Sequence, residues 1–311
     1  MKNMLYLIIT VFFVISISIY AKDEFTVFAV KGNSQYKQEN KNDFSKLKTG
    51  VALNSADIVK LENGDYLSLL HKSGRTIELK RKGEYSIARL SETIKNTKAD
   101  LNARVASFVM KQIKTSQSVL SNDDYHKNMK VTGAVERSTT SKQPVGESIF
   151  LMVPLKLSTL SNTIRCKWSS SNSNATFKFV LWDRFDSELF TKEVNGNSFE
   201  LDFSTLKLEA DNYYFWSVSD ANNQIVSEKA CFMALSPMKL KSINESIEML
   251  QSEMDNPESA VNLFLIGGFY EQNNMIEEAM TYYQKAVVAE PEVQDYKNYL
   301  TVFLERNNIN N

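Results

Sequence analysis

From Phe25 to Leu90, short apolar stretches are punctuated by turn residues. Phe25 to Val30 runs into Gly32–Ser34, Ala52 to Leu61 into Asn63-Gly64-Asp65, Tyr66 to Leu70 into Ser73-Gly74, and Thr76 to Leu79 into Lys82-Gly83. Asn-Gly and Ser-Gly between such runs signal hairpins, because glycine takes the positive φ that tight turns require. The pattern predicts a small antiparallel β domain over residues 22–90. At Ser91 the period changes: Ile94, Leu101, Val105, Phe108, Val109 and Ile113 recur at three- and four-residue steps. This predicts one amphipathic helix over 91–118, capped by Ser91. Residues 119–147 are polar and read as a linker, with weak pairing expected around Val131 to Val135.

Alternation by twos returns over 148–236. Ile164, Cys166 and Trp168 share one strand face, as do Phe177, Phe179 and Leu181, then Phe199, Leu201 and Phe203. Such aromatic-rich alternation indicates the half-buried strands of a β-sandwich. Helical spacing takes over across 237–311, through Leu240, Ile243, Ile247 and Leu250, then Leu263, Ile266, Gly267, Tyr270, Ala279, Tyr283, Ala286 and Pro291. The expected fold is therefore multidomain: an all-β N-terminal domain, a helical connector, a β-sandwich and C-terminal α-helical hairpins.

Three resemblances attach to these segments. Val30 and Gly32, Leu47 and Gly50, Ala52 to Val59, Asn63-Gly64-Asp65, and Gly74 through Leu79 come in the order of the periplasmic FecR-type β domain. That family carries a cytoplasmic sigma-factor-binding segment ahead of a membrane helix. Here only Met1 to Asn3 precede the first apolar run, so the resemblance implies the extracytoplasmic module without its signalling output. Leu208 six residues before Tyr214, with Trp216 and Val218 on the same face, resembles the tyrosine corner of fibronectin type III and immunoglobulin-like sandwiches, and Trp168 matches their core tryptophan. The eight positions from Leu263 to Pro291 resemble a tetratricopeptide repeat over 260–293, broken at Asn273-Asn274. Pro257 lies 34 positions before Pro291, and Asn307 lies 34 after Asn273, so half-units flank one complete unit.

Roughly three such repeats are usually needed for independent stability, so this array is expected to lean on the sandwich, a second copy or a partner. In tetratricopeptide proteins the first helix of each unit lines a ligand groove. The resemblance places Val261, Phe264, Gly268, Glu271, Gln272, Asn298, Val302 and Glu305 there, as candidate partner-binding residues. Lys and Asn are used in that groove by members that clamp a peptide carboxylate, and Phe264 and Gly268 hold two of those places. The alternative is that these side chains only pack against a neighbouring domain.

Composition narrows the function. With 43% hydrophobic and 23% charged residues in 311, the chain belongs with ordinary globular proteins rather than disordered ones. Thirty-six basic against thirty-seven acidic residues leave a net charge of -1, which excludes a global field toward nucleic acid. Lys2, the apolar run Met4 to Tyr20 and Ala21 read as a secretory signal peptide over 1–21, leaving an exported chain, periplasmic or secreted. An uncleaved signal would make it a membrane anchor instead. Only two histidines, His71 and His126, occur, and no HExxH, CxxC, GxSxG or phosphate-loop pattern appears, so neither an enzyme nor a metal or cofactor is expected. Export permits a disulfide between Cys166 and Cys231, although Cys166 faces inward and Cys231 outward on its strand. Lys72 with Arg75 and Lys80-Arg81-Lys82 are basic clusters, read either as binders of anionic envelope polymers or as charges that blunt hairpin edges.

The resulting expectation is an exported, non-enzymatic scaffold or adaptor of the cell envelope. Its protein partner would be held by the C-terminal helices, with outer-membrane components and self-association as further possibilities. The alternatives are a FecR-type sensor or regulator module, and a glycan-binding accessory protein that uses exposed aromatics such as Trp182.

Overall fold

The computed structural model describes residues 23–39, 41–94, 100–120, 148–171 and 175–309; the expected signal peptide, Val131 to Val135 and His126 lie outside them. An N-terminal β-rich region with two antiparallel sheets is followed by helices, a two-sheet β region and C-terminal helices. The first sheet joins β1 (Asp23–Lys31), β4 (Ala52–Asn54), β6 (Tyr66–His71) and β7 (Thr76–Leu79) in the order β4-β1-β6-β7. The second joins β2 (Gln35–Lys37), β3 (Ser45–Lys46), β5 (Ile58–Leu61) and β8 (Gly83–Ser86) in the order β3-β2-β5-β8. Between them Phe25, Val27, Leu53, Val59, Leu61, Leu67 and Leu69 form a closed core.

Asp65 fixes one corner of this core. Its carboxylate accepts from Asn33 N–H at 2.9 Å, Ser34 Oγ at 3.1 Å and Glu62 N–H at 2.9 Å. Gly32 (φ 93°) passes so close that a Cβ there would collide with Asp65 Oδ1. That explains both the glycine and the aspartate of the turn pattern.

The single helix expected over 91–118 is two. Helix α1 spans Ile87–Thr93 and α2 spans Asp100–Leu120. Ser91 lies inside α1 and donates to Glu24 Oε2 at 3.1 Å instead of capping. The split has a packing cause: Ile94 seals the N-terminal core, whereas Val105, Val109 and Ile113 of α2 belong to a different core shared with the C-terminal helices.

Eight strands follow: β9 (Ile149–Leu151), β10 (Lys156–Thr159), β11 (Thr163–Ser170), β12 (Thr176–Trp182), β13 (Glu188–Asn195), β14 (Ser198–Asp202), β15 (Tyr213–Asp220) and β16 (Ala230–Ala234). One sheet runs β10-β16-β15-β12-β13, with β10 parallel to β16, and faces a second, β14-β11-β9. Trp168 is fully buried between them, edge-on to Phe177 at 5.6 Å. Tyr214 bonds back five residues: its hydroxyl accepts from Glu209 N–H at 2.8 Å and donates to Glu209 O at 3.3 Å. Tyr214→Phe should therefore cost about 1 kcal/mol and orphan the Glu209 N–H; an unchanged urea midpoint would show the bond to be idle. Cys166 and Cys231 are both free and lie in different sheets, the first buried, the second half-exposed.

The chain ends in α3 (Pro237–Ser252), α4 (Ala260–Gln272), α5 (Ile276–Ala289) and α6 (Gln294–Arg306). The 34-residue register is visible bond by bond. Asn273 Nδ2 donates to Phe269 O and Met275 N–H to Tyr270 O; Asn307 Nδ2 donates to Phe303 O and Ile309 N–H to Leu304 O, each pair 34 positions on. Asn274 (φ 54°) and Asn308 (φ 56°) take the left-handed conformation that ends such helices. Gly267 lets α4 and α5 touch, since a Cβ there would lie 2.6 Å from the Tyr283 ring. Among the described residues no helix is long and apolar enough to cross a membrane.

Candidate interaction surface

From Ala260 to Phe269 helix α4 is apolar but for Asn262, and every residue of that stretch is buried. Such a helix needs partners on all sides. One side is α5. Another is α2, whose Val109 presses so closely on Gly268 that a Cβ there would overlap Val109 Cγ2. The N-terminal sheet supplies the rest: Phe264 meets Phe28 edge-on at 5.7 Å and lies within 5.2 Å of the Tyr283, Tyr296 and Tyr299 rings. Phe28, Ala29, Tyr66 and Leu70 thus share one continuous core with α2 and the C-terminal helices.

The eight candidate partner-binding residues fall as follows. Val261, Phe264, Gly268 and Val302 are buried, Glu271, Asn298 and Glu305 are half-buried, and only Gln272 is exposed. At Phe264 and Gly268 the face they define is filled by the chain's own β1 and α2. Glu271 accepts from Tyr283 Oη at 2.7 Å and Tyr299 Oη at 2.8 Å and pairs with Arg306, which also donates to Gln112 of α2 at 2.7 Å. Burial pushes the Tyr283 and Tyr299 hydroxyls well above the ordinary phenol range, so both remain protonated donors to Glu271. Asp295 gathers three elements, accepting from Val30 N–H at 3.2 Å, Thr49 Oγ1 at 2.7 Å and Gln117 Nε2 at 3.3 Å. The expected supports for the C-terminal helices were the sandwich, a second copy or a partner, and the main one observed is none of these. That support is the N-terminal sheet and α2, with the sandwich touching through Ser158 N–H to Asn274 O at 2.8 Å.

Most of the basic clusters are committed within the chain. Lys72 pairs with Glu24, Arg75 with Glu253, Lys80 with Glu78 and Glu290, and Lys82 with Glu62. Arg81 is the exposed cation of these clusters without a carboxylate partner among the described residues. Trp182, expected to be exposed, is half-buried, with the Lys229 ammonium 4.8 Å from its ring centre on one face. The exposed aromatic nearby is Phe185, at 73%.

His71 closes the β6–β7 hairpin. Its Nδ1 accepts from Ser73 N–H at 3.2 Å, which leaves the proton on Nε2, 3.4 Å from Glu24 Oε2. Burial lowers its pKa below the ordinary value despite Glu24. Because the folded value is the lower one, the unfolded chain takes up this proton first. Stability from His71 is complete above about pH 6.5 and is lost as pH falls toward the folded value. Glu24, held low chiefly by Lys72, loses its contribution only further into the acid range. His71→Gln should flatten the fall in thermal midpoint between about pH 7 and pH 5; an unchanged slope would assign that fall to other groups.

Between β7 and the loop leading into α4 lies a cleft of about 610 Å3. Thr76, Glu78 and Arg81 form its floor, Tyr85, Leu90 and Thr93 one wall, and Asp255, Asn256 and Asn262 the other. Thr76 Oγ1 donates to Asn262 Oδ1 at 2.6 Å, and Glu78 accepts from Val261 N–H at 3.2 Å, so the floor is tied to the helices. Among the described residues there is no group of three or more His, Cys, Asp or Glu placed to hold a metal. No family model matches the chain, and comparison with curated proteins finds no match.

Proposed function

We propose that this chain is an exported, non-enzymatic scaffold or adaptor of the cell envelope, in which the two ends of the sequence build one core and the β-sandwich projects between them. The observation that carries this reading is the shared core: Phe28 of β1 and Phe264 of α4 touch across more than two hundred residues of sequence. A sandwich held on such a base is a placed binding module rather than a bead on a string. The strand order, the Tyr214 corner and the buried Trp168 support a fibronectin type III-like sandwich, and the 34-residue bond register supports tetratricopeptide-like hairpins. The occupied α4 face moves partner binding away from the concave helical surface and onto the cleft beside β7 and the sandwich end that carries Phe185.

The test uses the full chain, because removing the C-terminal helices would expose the second apolar face of the N-terminal sheet, Phe28, Ala29, Tyr66 and Leu70. A photo-crosslinking residue is placed in turn at Arg81, at Phe185 and at Val288, which stands 78% exposed on α5, in living cells, with N-terminal sequencing of the mature protein. A processed N-terminus near Lys22 and an adduct to another polypeptide from Arg81 or Phe185 are expected. A retained cytoplasmic chain, or no polypeptide adduct at any position, would overturn the proposal.

A further inference from the structure

The outer edge of β7 is the floor of the cleft, and its backbone is unpaired there. His71 N–H bonds Arg75 O at 2.7 Å, making that opposed pair a hydrogen-bonded one. Pairs in an antiparallel ladder alternate. Given the register Leu70↔Thr76, Leu69↔Ile77 and Ser68↔Glu78, Ile77 bonds toward β6, whereas Thr76 and Glu78 turn their N–H and C=O groups outward. No strand pairs with that side among the described residues.

We infer that the β7 edge is a strand-addition site for an extended peptide, one with alternating apolar and polar side chains, an acidic residue at its start and a basic residue at its end. The two walls differ in kind: Tyr85 and Leu90 offer apolar surface on one side, and Asn256 and Asn262 offer amides on the other. An added strand presents alternate side chains to opposite faces, so it matches both walls at once. Charge sets its direction. The uncommitted Arg81 stands at the C-terminal end of β7. Asp255, 80% exposed and 3.9 Å from Arg75, stands at the N-terminal end. A strand antiparallel to β7 would thus meet Arg81 with its first residue and Asp255 with its last.

The assignment rests on the adaptor reading, but the two fail separately: crosslinks from Phe185 would survive loss of the cleft site. The probe is acetyl-Asp-Thr-Val-Thr-Val-Lys-amide, titrated into the isotopically labelled full chain and followed by NMR. Saturable shifts of the Thr76 and Glu78 amides are expected. Two versions N-methylated at alternate residues, one per register, keep the protein untouched. One should abolish binding and the other retain it, because only alternate peptide amides face β7. Arg81→Glu should weaken binding about fivefold, and a Lys-led peptide should recover it. Absence of Thr76 and Glu78 shifts at millimolar peptide overturns the site. So does equal behaviour of the two methylated versions, or indifference of both peptides to Arg81→Glu.

Discussion

Phe264→Ala is expected to unfold the N-terminal sheet and the C-terminal helices together, at a cost of about 3–5 kcal/mol. Phe264 is fully buried, and its ring is the piece that Phe28 on one side and Tyr283, Tyr296 and Tyr299 on the other all touch. Truncating it removes the transfer free energy of a whole ring and opens a cavity between elements from both ends of the chain. The hydrogen bonds at that boundary, Tyr66 Oη to Tyr296 Oη at 2.9 Å and Val30 N–H to Asp295 at 3.2 Å, depend on the same alignment. Hydrogen exchange reports the outcome segment by segment. The amides of β6 and those of α4 to α6 should lose protection by the same free energy, while the Trp168 core of the sandwich keeps its own. Loss confined to the helices, with β6 still protected, would show that the two ends fold independently.

The sequence foretold most elements and little of their assembly. Alternation and turn glycines located the strands, and the spacing from Leu263 to Pro291 located α4 and α5, because these signals are local. What joins the two ends is a second buried face, and alternation is blind to it. Yet a trace was present. β6 reads Tyr66-Leu67-Ser68-Leu69-Leu70-His71, apolar on both faces, and every one of its residues is buried. A strand that does not alternate must be covered twice. Leu67 and Leu69 face the N-terminal core, while Tyr66 and Leu70 face the helices. In the same way α4 lacks a polar stripe from Ala260 to Phe269, which is incompatible with an open groove along Phe264 and Gly268. The free edge of β7 left one local trace, the basic clusters Lys72 with Arg75 and Lys80-Arg81-Lys82 that flank it and read as charges blunting a hairpin edge; which side of the strand stays unpaired depends on the ladder.

Gly268→Ala should be destabilising in the native chain and stabilising in a chain that already carries Val109→Ala. In isolation a helical glycine costs about 1 kcal/mol relative to alanine, so helix propensity alone favours the change. Packing opposes it. The added methyl would overlap Val109 Cγ2, and Val109 is itself fully buried on α2 with nowhere to retreat, a form of overpacking that costs about 1–3 kcal/mol. Val109→Ala removes the obstructing methyl groups and leaves a void where the new Cβ would go. The propensity gain then stands unopposed, and the methyl refills part of the void. The double-mutant cycle should therefore show favourable coupling of about 0.5–3 kcal/mol between positions separated by about half of the sequence, read from urea unfolding of the four full-length chains. Equal cost of Gly268→Ala in both backgrounds would mean that α2 does not seat on α4, and the concave helical face would again be open to a partner.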